Sequence, residues 1–429
     1  MAATIQPVIF FRAINMYSFA SLFPVLQQSI PKIKIFSLKK ISIKIVEEKI
    51  LPFLKQENLV FYFDSIMSTE INRVKSDLNI ILAAISKNKN ENLIKVCGGP
   101  HPSALPTHAL NLGFDIAVIG EGEITLVELL KSLIQDKKIH NVPGIMYHSK
   151  NGYQKNKPPP RIKLEDYQPY CIDPPIHPPI EIIRGCSFGC KFCQTPRLLR
   201  KVRYRSLESI NKVVQYYYDR FHAQRSVDIR FIAPNSLEYG SEDHRTPNVD
   251  ILWRLVKTVK KEERPVRMFL GSFPSEVRPE FVTDDTVQIL KQSDSNIVAI
   301  GGQSGSDRML KIMNRGHTIE DLDICISLLR KNDLIPLMDF ILGLPEESED
   351  DMWNTIDYMK KSIKMGSRVR IHGFMPLPGT PWGNNLGSDV PNDIIQAIGK
   401  LMKDGAVEGQ FSKQLETRSS LIEEFGYFW

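Results

Sequence analysis

Apolar runs, each followed by a stretch of helical periodicity, set the strongest limit on how this chain folds. In the first third they read "PVIFFRA", "KIKIF", "NLVFYFDS", "LIKVCGG" and "FDIAVIGEGE", with helical patterns over Tyr17–Gln28, Glu70–Ile85 and Ile124–Leu133. Strands without polar alternation are covered on both faces, and alternation with helices implies a parallel sheet. The expected fold is a doubly wound, Rossmann-like domain whose ligands sit off the carboxyl ends of the strands.

A Pro-rich interval follows, with "KPPPRIK" and "DPPIHPP". Such a stretch fits neither a helix nor a central strand and reads as an extended linker. The βα rhythm then restarts with "PIEIIRG", "SVDIRFIAP", "VRMFLGS", "NIVAIGG", "LIPLMDFILGLP" and "RVRIHGFMP", separated by helical patterns over Leu207–Arg220, Val249–Lys261, Thr283–Lys291, Ile319–Lys331 and Asp350–Lys364. Six parallel strands with crossover helices make a partial (β/α)6 TIM-like barrel, short of the full eight. Right-handed crossovers bring Cys186, Asn235, Ser275, Gln303, Asp339 and Phe374 to one rim. The expected organisation is α/β: a Rossmann-like domain over residues 1–157, a linker over 158–179, the barrel over 180–385 and a helical extension over 386–429 ending in "LIEEFGYFW".

With 42% hydrophobic and 24% charged residues, the composition is that of an ordinary globular chain. A net charge of +6, spread along the chain, gives no indication of nucleic-acid binding. No apolar stretch approaches the ~18–20 residues of a membrane helix, and the N-terminus lacks the pattern of a signal peptide. The expected location is the cytoplasm, where thiols stay reduced and a tight cysteine cluster favours metal over disulfide.

That cluster is "RGCSFGCKFCQTP", with Cys186, Cys190 and Cys193 at C-x3-C-x2-C spacing. Structural zinc takes four ligands, and neither His177 nor His222 completes a standard set. Ferredoxin clusters take four cysteines each. Three thiolates leave one iron of a cubane open, a defect in an electron carrier but useful in an enzyme that binds a substrate or cofactor at that iron.

In this spacing, on a loop after "EIIR", the chain resembles the radical S-adenosylmethionine (SAM) enzymes. The resemblance implies a [4Fe–4S] cluster on Cys186, Cys190 and Cys193, with Phe192 at the aromatic position. It also implies SAM contacts along the strand ends. "IAPNSLEYG" stands where relatives carry Gly-Gly-Glu, so Asn235 departs from the pattern. "GSFPSEVRPE" places Glu276 at the acidic position, with Ser275 beside it at the strand end. "GGQSGSDRMLKIMNRGH" is similar to the segment of coproporphyrinogen oxidases and methylthiotransferases in which Gln303, Ser304 and Arg315 would meet SAM. "MDFILGLPEES" puts Asp339 at the ribose-facing position, and "FMPLPGTP" places Phe374 near adenine. The implied chemistry is reductive SAM cleavage to a 5′-deoxyadenosyl radical, with electrons from an external donor of the ferredoxin or flavodoxin type. Neither the substrate nor a catalytic side chain acting on it is encoded by any general motif.

"GGPHPSALP" and "GFDIAVIGEGE" resemble the cobalamin-binding-type domain fused to many of these enzymes. The D-x-H-x-x-G histidine is absent: that place reads "NMYSFASL". Cobalamin, if bound, would have no lower histidine ligand, and a cobalamin-free substrate platform is the alternative. Three functions follow. The first is a radical SAM enzyme performing cobalamin-assisted methyl transfer. The second is a methylthiotransferase-like RNA-modifying enzyme, for which the N-terminal cysteines are too few, with Cys97 there and Cys171 in the linker. The third is a non-catalytic iron–sulfur protein.

Overall fold

The computed structural model describes residues 6–55, 58–88, 92–199, 201–223 and 226–425. The expectations for residues 1–5 and for "GYFW" at the end fall outside them. The chain divides at Pro178–Pro179 into two compact units.

The first unit is a seven-stranded sheet. Five strands are parallel to their neighbours: β1 (Gln6–Arg12), β2 (Lys34–Leu38), β3 (Asn58–Ser65), β4 (Leu93–Gly98) and β5 (Ile116–Val118). The sequence reading stopped there. The structure adds an antiparallel hairpin, β6 (Ile145–Ser149) and β7 (Gly152–Lys155), which extends the sheet edge beyond β5. The order β2-β1-β3-β4-β5-β6-β7 reverses direction between β1 and β3, the crevice where doubly wound sheets hold ligands. Ile9, Phe11, Phe61 and Phe63 pack on one face with Phe23 and Leu26 of helix Leu22–Ser29 and Leu126, Leu129 and Leu130 of helix Gly122–Ile134. The predicted helix over Tyr17–Gln28 is split at Ala20–Ser21 into a 3-10 turn (Ala13–Phe19) and helix Leu22–Ser29, and the Asn15 amide ties the 3-10 turn to Ser65 O at 2.5 Å and Glu70 Oε2 at 2.8 Å.

Beyond β4 the chain turns at Gly98–Gly99 into two short helices that bury His101 and His108. His101 Nδ1 lies 3.1 Å from Ser68 Oγ and its Nε2 lies 2.9 Å from His108 Nδ1.

The second unit is a partial barrel. Its strands are β8 (Ile180–Glu181), β9 (Ile183–Arg184), β10 (Arg203–Tyr204), β11 (Asp228–Ile232), β12 (Arg267–Phe269), β13 (Ile297–Gln303), β14 (Ile335–Leu342), β15 (Arg368–Gly373) and β16 (Val407–Gly409). β8, β11 and β12 are parallel, as are β13 through β16. The two groups join where Val277 bridges Ile300 and Ala299 N–H donates to Gly271 O at 2.8 Å. "PIEIIRG" is broken at Ile182, so β9 leaves β8's sheet and pairs with β10. The segment over 386–429 is not purely helical: Val407–Gly409 adds a parallel strand beside β15. Helix Phe411–Phe425 then lies on the strand ends, with Arg418 Nη1 donating to Gly343 O at 3.0 Å. Side chains of Ser206, Asn248, Thr283, Thr318 and Ser348 cap the crossover helices, each contributing about 1 kcal/mol. Among the described residues no helix is long and apolar enough to cross a membrane.

The buried histidine pair makes the fold sensitive to acid. Burial, and then His108, depress His101 to about 3. A histidine lowered in the folded state takes its proton more readily when unfolded, so its contribution is present above pH 6.5 and is lost as pH falls toward 3. Urea unfolding should show a loss of about 2 kcal/mol between pH 7 and pH 5 from this group, absent in His101→Gln. Equal pH dependence in both proteins would contradict this.

Candidate functional site

β9 delivers the chain to Gly185, at φ +91°. A Cβ there would lie 2.5 Å from Lys201 O, so only glycine allows this exit from the strand. Cys186 N–H donates to Leu199 O at 3.2 Å. Gly189 passes so close to Asn314 that a Cβ would stand 2.6 Å from its Nδ2, and Lys191 N–H donates to Met313 O at 3.0 Å. The cysteine loop is thus laced to the segment after β13.

Cys186, Cys190 and Cys193 line one cavity of about 230 Å³. Phe192, Glu276, Gln303 and Arg315 share its wall, as do Phe188, Thr195, Phe273 and Arg278. Gln303 takes φ +74° at the end of β13, an uncommon conformation for a side chain other than glycine. Among the described residues, no three His, Cys, Asp or Glu side chains are grouped to hold a single metal ion. A cubane asks for a wider arrangement, one thiolate on each of three irons.

Five predicted residues are not on that wall. Asn235 is fully buried, and its Oδ1 accepts from Arg278 N–H at 3.3 Å. Ser275 bridges Ala233 between strand ends. Ser304 Oγ lies 3.2 Å from Thr355 Oγ1 and accepts from Ser306 N–H at 3.1 Å, which fixes the turn into the next helix. Phe374 packs edge-on to Trp382 in a cluster against which Phe192 rests. Asp339 faces Arg370 in register, and both of its oxygens are engaged, by Nε at 2.5 Å and Nη2 at 2.6 Å. Each oxygen keeps a lone pair for a further donor beside this pairing. Arg370 in turn stands 3.9 Å from Glu276 Oε1.

The cavity is electrostatically uneven. Burial pushes the Cys186 thiol up to about 12 and raises Cys193, which Thr195 partly offsets. Burial acts likewise on Cys190, but Arg315 and Arg278 outweigh it and hold this thiol below the usual range. Arg315 Nη1 lies 3.4 Å from Cys190 Sγ while its Nη2 donates to Gly301 O at 2.6 Å. Burial, then Asp339, raise the Glu276 carboxyl. Sequence reasoning missed Arg278, Glu280, His317 and Glu238. Arg278 shares a strand end with Glu276, and that was the available signal.

Residues 180–359 match the family model described as the radical SAM superfamily. An uncharacterized methyltransferase of Pyrococcus horikoshii is 26% identical over 313 residues, which are 70% of this chain and 64% of the relative. A tRNA-2-methylthio-N(6)-dimethylallyladenosine synthase of Aquifex aeolicus is 28% identical over 301 residues, 67% of this chain and 64% of the relative. The chain therefore spans just under two thirds of the length of these two relatives. Among solved structures, the fold is similar to the radical S-adenosylmethionine methyltransferase TsrM from Kitasatospora setae, described with cobalamin and a [4Fe–4S] cluster. The TM-score is 0.67 at 14% identity, covering 89% of this chain and 78% of that one. It is also similar to the cobalamin-dependent S-adenosylmethionine radical enzyme OxsB, at TM-score 0.65 and 17% identity, covering 93% and 56%.

Glu238 adds a pH-dependent strain beside this site. It is fully buried, and apart from His244 Nδ1 at 3.1 Å its oxygens have no partner among the described residues. Burial raises it to about 7, against the opposing pull of Arg278 and Arg245. A carboxyl raised in the folded state binds its proton more tightly there, so stability falls as pH rises from 4.5 through 7. Between pH 5 and 8 the wild type should lose about 2 to 3 kcal/mol that Glu238→Gln keeps, measured by urea unfolding. Parallel curves would contradict the assignment.

Proposed function

We propose, on the premise that residues 180–359 belong to the radical SAM superfamily, that Cys186, Cys190 and Cys193 hold a [4Fe–4S] cluster with which the protein cleaves SAM. Its reaction is read as cobalamin-assisted methyl transfer to a carbon of a small molecule. One observation carries this: three thiols on one cavity wall that also presents Glu276, Arg278, Gln303 and Arg315 among aromatic, proline and alanine side chains. The donor set fits the group. A cluster bound through three thiolates suits a wall on which two buried guanidinia face Cys190. When bound, it supplies the electron that breaks a carbon–sulfur bond of SAM, releasing methionine and the 5′-deoxyadenosyl radical.

The chain's own residues bind and orient. Arg315 offers a fixed cation for the SAM carboxylate. Glu276, whose carboxyl is raised by burial, regains its charge beside the SAM ammonium. Gln303 offers both a donor and an acceptor. Phe192 supplies an apolar side to the cavity wall, and Phe273 lines it while largely exposed. Asp339 acts through Arg370, which it holds near Glu276, and is a positioning residue. Asn235, Ser275, Ser304 and Phe374 set the strand ends that carry these groups.

Residues 1–157 are read as the cobalamin-binding-type domain, 158–179 as its linker, 180–385 as the catalytic barrel and 386–429 as the barrel's closing segment. Similarity in fold to TsrM and OxsB, whose descriptions name cobalamin, supports cobalamin over a bare platform. The electron donor is of the ferredoxin or flavodoxin type and the setting is the cytoplasm, where thiols stay reduced. The second reading, RNA methylthiolation, draws support from the Aquifex aeolicus relative. It asks for a second cysteine-held cluster, and Cys97 and Cys171 are both buried lone thiols.

Anaerobic reconstitution with iron and sulfide should give about four irons per chain and 5′-deoxyadenosine on adding dithionite and SAM. Cys186→Ala, Cys190→Ala and Cys193→Ala should each abolish cleavage while the circular-dichroism spectrum stays unchanged. Cleavage at the wild-type rate in any one of them would refute the ligand assignment.

A further inference from the structure

Arg278 is a charged side chain that SAM binding leaves unexplained. It is 4% exposed. A guanidinium so deeply buried is costly unless its charge and its N–H groups are used, and here three arms are engaged. Nε donates to Glu280 Oε1 at 2.6 Å. Nη2 donates to the carbonyl of Arg315. Nη1 lies 3.9 Å from Cys190 Sγ. The guanidinium carbon also rests 3.6 Å from the centre of the Phe188 ring. Only a planar fork reaches a carboxylate, a carbonyl and a sulfur at once, and a lysine could not.

The contact is selective. Among the described residues, no guanidinium donates to Cys186 or Cys193, whereas two face Cys190. Arg315 is accounted for as a SAM contact, but Arg278 makes its polar contacts inside the wall. Its charge is partly cancelled by Glu280, which Arg278 and His317 hold down at about 2 against the effect of burial.

We infer that Arg278 is a tuning and positioning residue that makes a cluster bound at Cys190 easier to reduce. This rests on the proposed cluster ligation by the three cysteines. Reduction adds one electron from a donor of the ferredoxin or flavodoxin class, or from dithionite, and requires no proton. A fixed cation and an N–H aimed at a ligand sulfur stabilise the added negative charge, and more so in a water-poor wall. Glu280 works in the opposite direction by screening that cation. The two residues should therefore move the potential with opposite signs, which a loss of packing would not do.

The test is an anaerobic redox titration of the reconstituted full-length protein, followed by electron paramagnetic resonance, with iron counted on every sample. Arg278→Gln should hold its iron and show a more negative midpoint than wild type. Arg278→Lys, which keeps the charge but not the fork, should fall between them. Glu280→Gln should shift the midpoint the other way. If Arg278→Gln does not fold, Glu280→Gln carries the test alone: a positive shift supports the assignment and an unchanged midpoint overturns it. Iron-loaded Arg278→Gln with a wild-type midpoint also overturns it while leaving the cluster reading intact. A wild-type protein that binds no iron removes both.

Discussion

The hydrogen bond from Lys191 N–H to Met313 O, with Arg315 reaching back to Cys190, ties the cysteine loop to the far side of the barrel. These partners are more than a hundred residues apart in sequence, so the cavity exists only once β9 and β13 have been brought together. Two glycines make the approach possible. Gly185 lets the chain leave β9 against Leu199 and Lys201, and Gly189 lets the loop lie on Asn314. A methyl group at either position would hold the cysteines away from the groups that face them.

Charge is distributed around this loop with a consistent logic. The cations nearest Cys190 are pinned at second arms, Arg315 by Gly301 O and Arg278 by Glu280. The carboxylates that could oppose a negatively charged cluster are engaged elsewhere: Asp339 by Arg370, Glu280 by Arg278 and His317. Buried Glu238 and Glu276 are the exceptions, and Glu276 is a carboxyl on the cavity wall whose nearest cation stands 3.9 Å away. It is suited to a ligand that brings its own positive charge, as SAM does.

Much of this was legible in the sequence. Predominantly apolar strands without polar alternation, such as Asn58–Ser65 and Ile335–Leu342, favour a parallel sheet covered by helices, and both formed where expected. The cysteine spacing and the segments carrying Glu276, Gln303 and Arg315 named half of the cavity wall. The misses have physical causes. Val407–Gly409 is three residues long and becomes a strand only because β15 offers it an unpaired edge. The hairpin β6–β7 is largely exposed and polar on its outer strand, so it lacks the apolar run that marks its neighbours. Arg278 was missed because its role depends on contacts with Cys190, Glu280 and Arg315 O that sequence spacing does not express. The pairing of Asp339 with its cross-strand neighbour Arg370, which meets both carboxylate oxygens, was likewise not expressed in the spacing.

The central claim is that three cysteines hold a cluster with one iron left open to SAM. Its most direct test is the electron paramagnetic resonance spectrum of the reduced, reconstituted protein before and after SAM is added. The account predicts a spectrum that changes when SAM binds the open iron, and a change that is lost when a fourth thiolate ligand is supplied in excess as a competitor. A reduced cluster whose spectrum is indifferent to SAM, or a site that takes up zinc in place of iron, would contradict it.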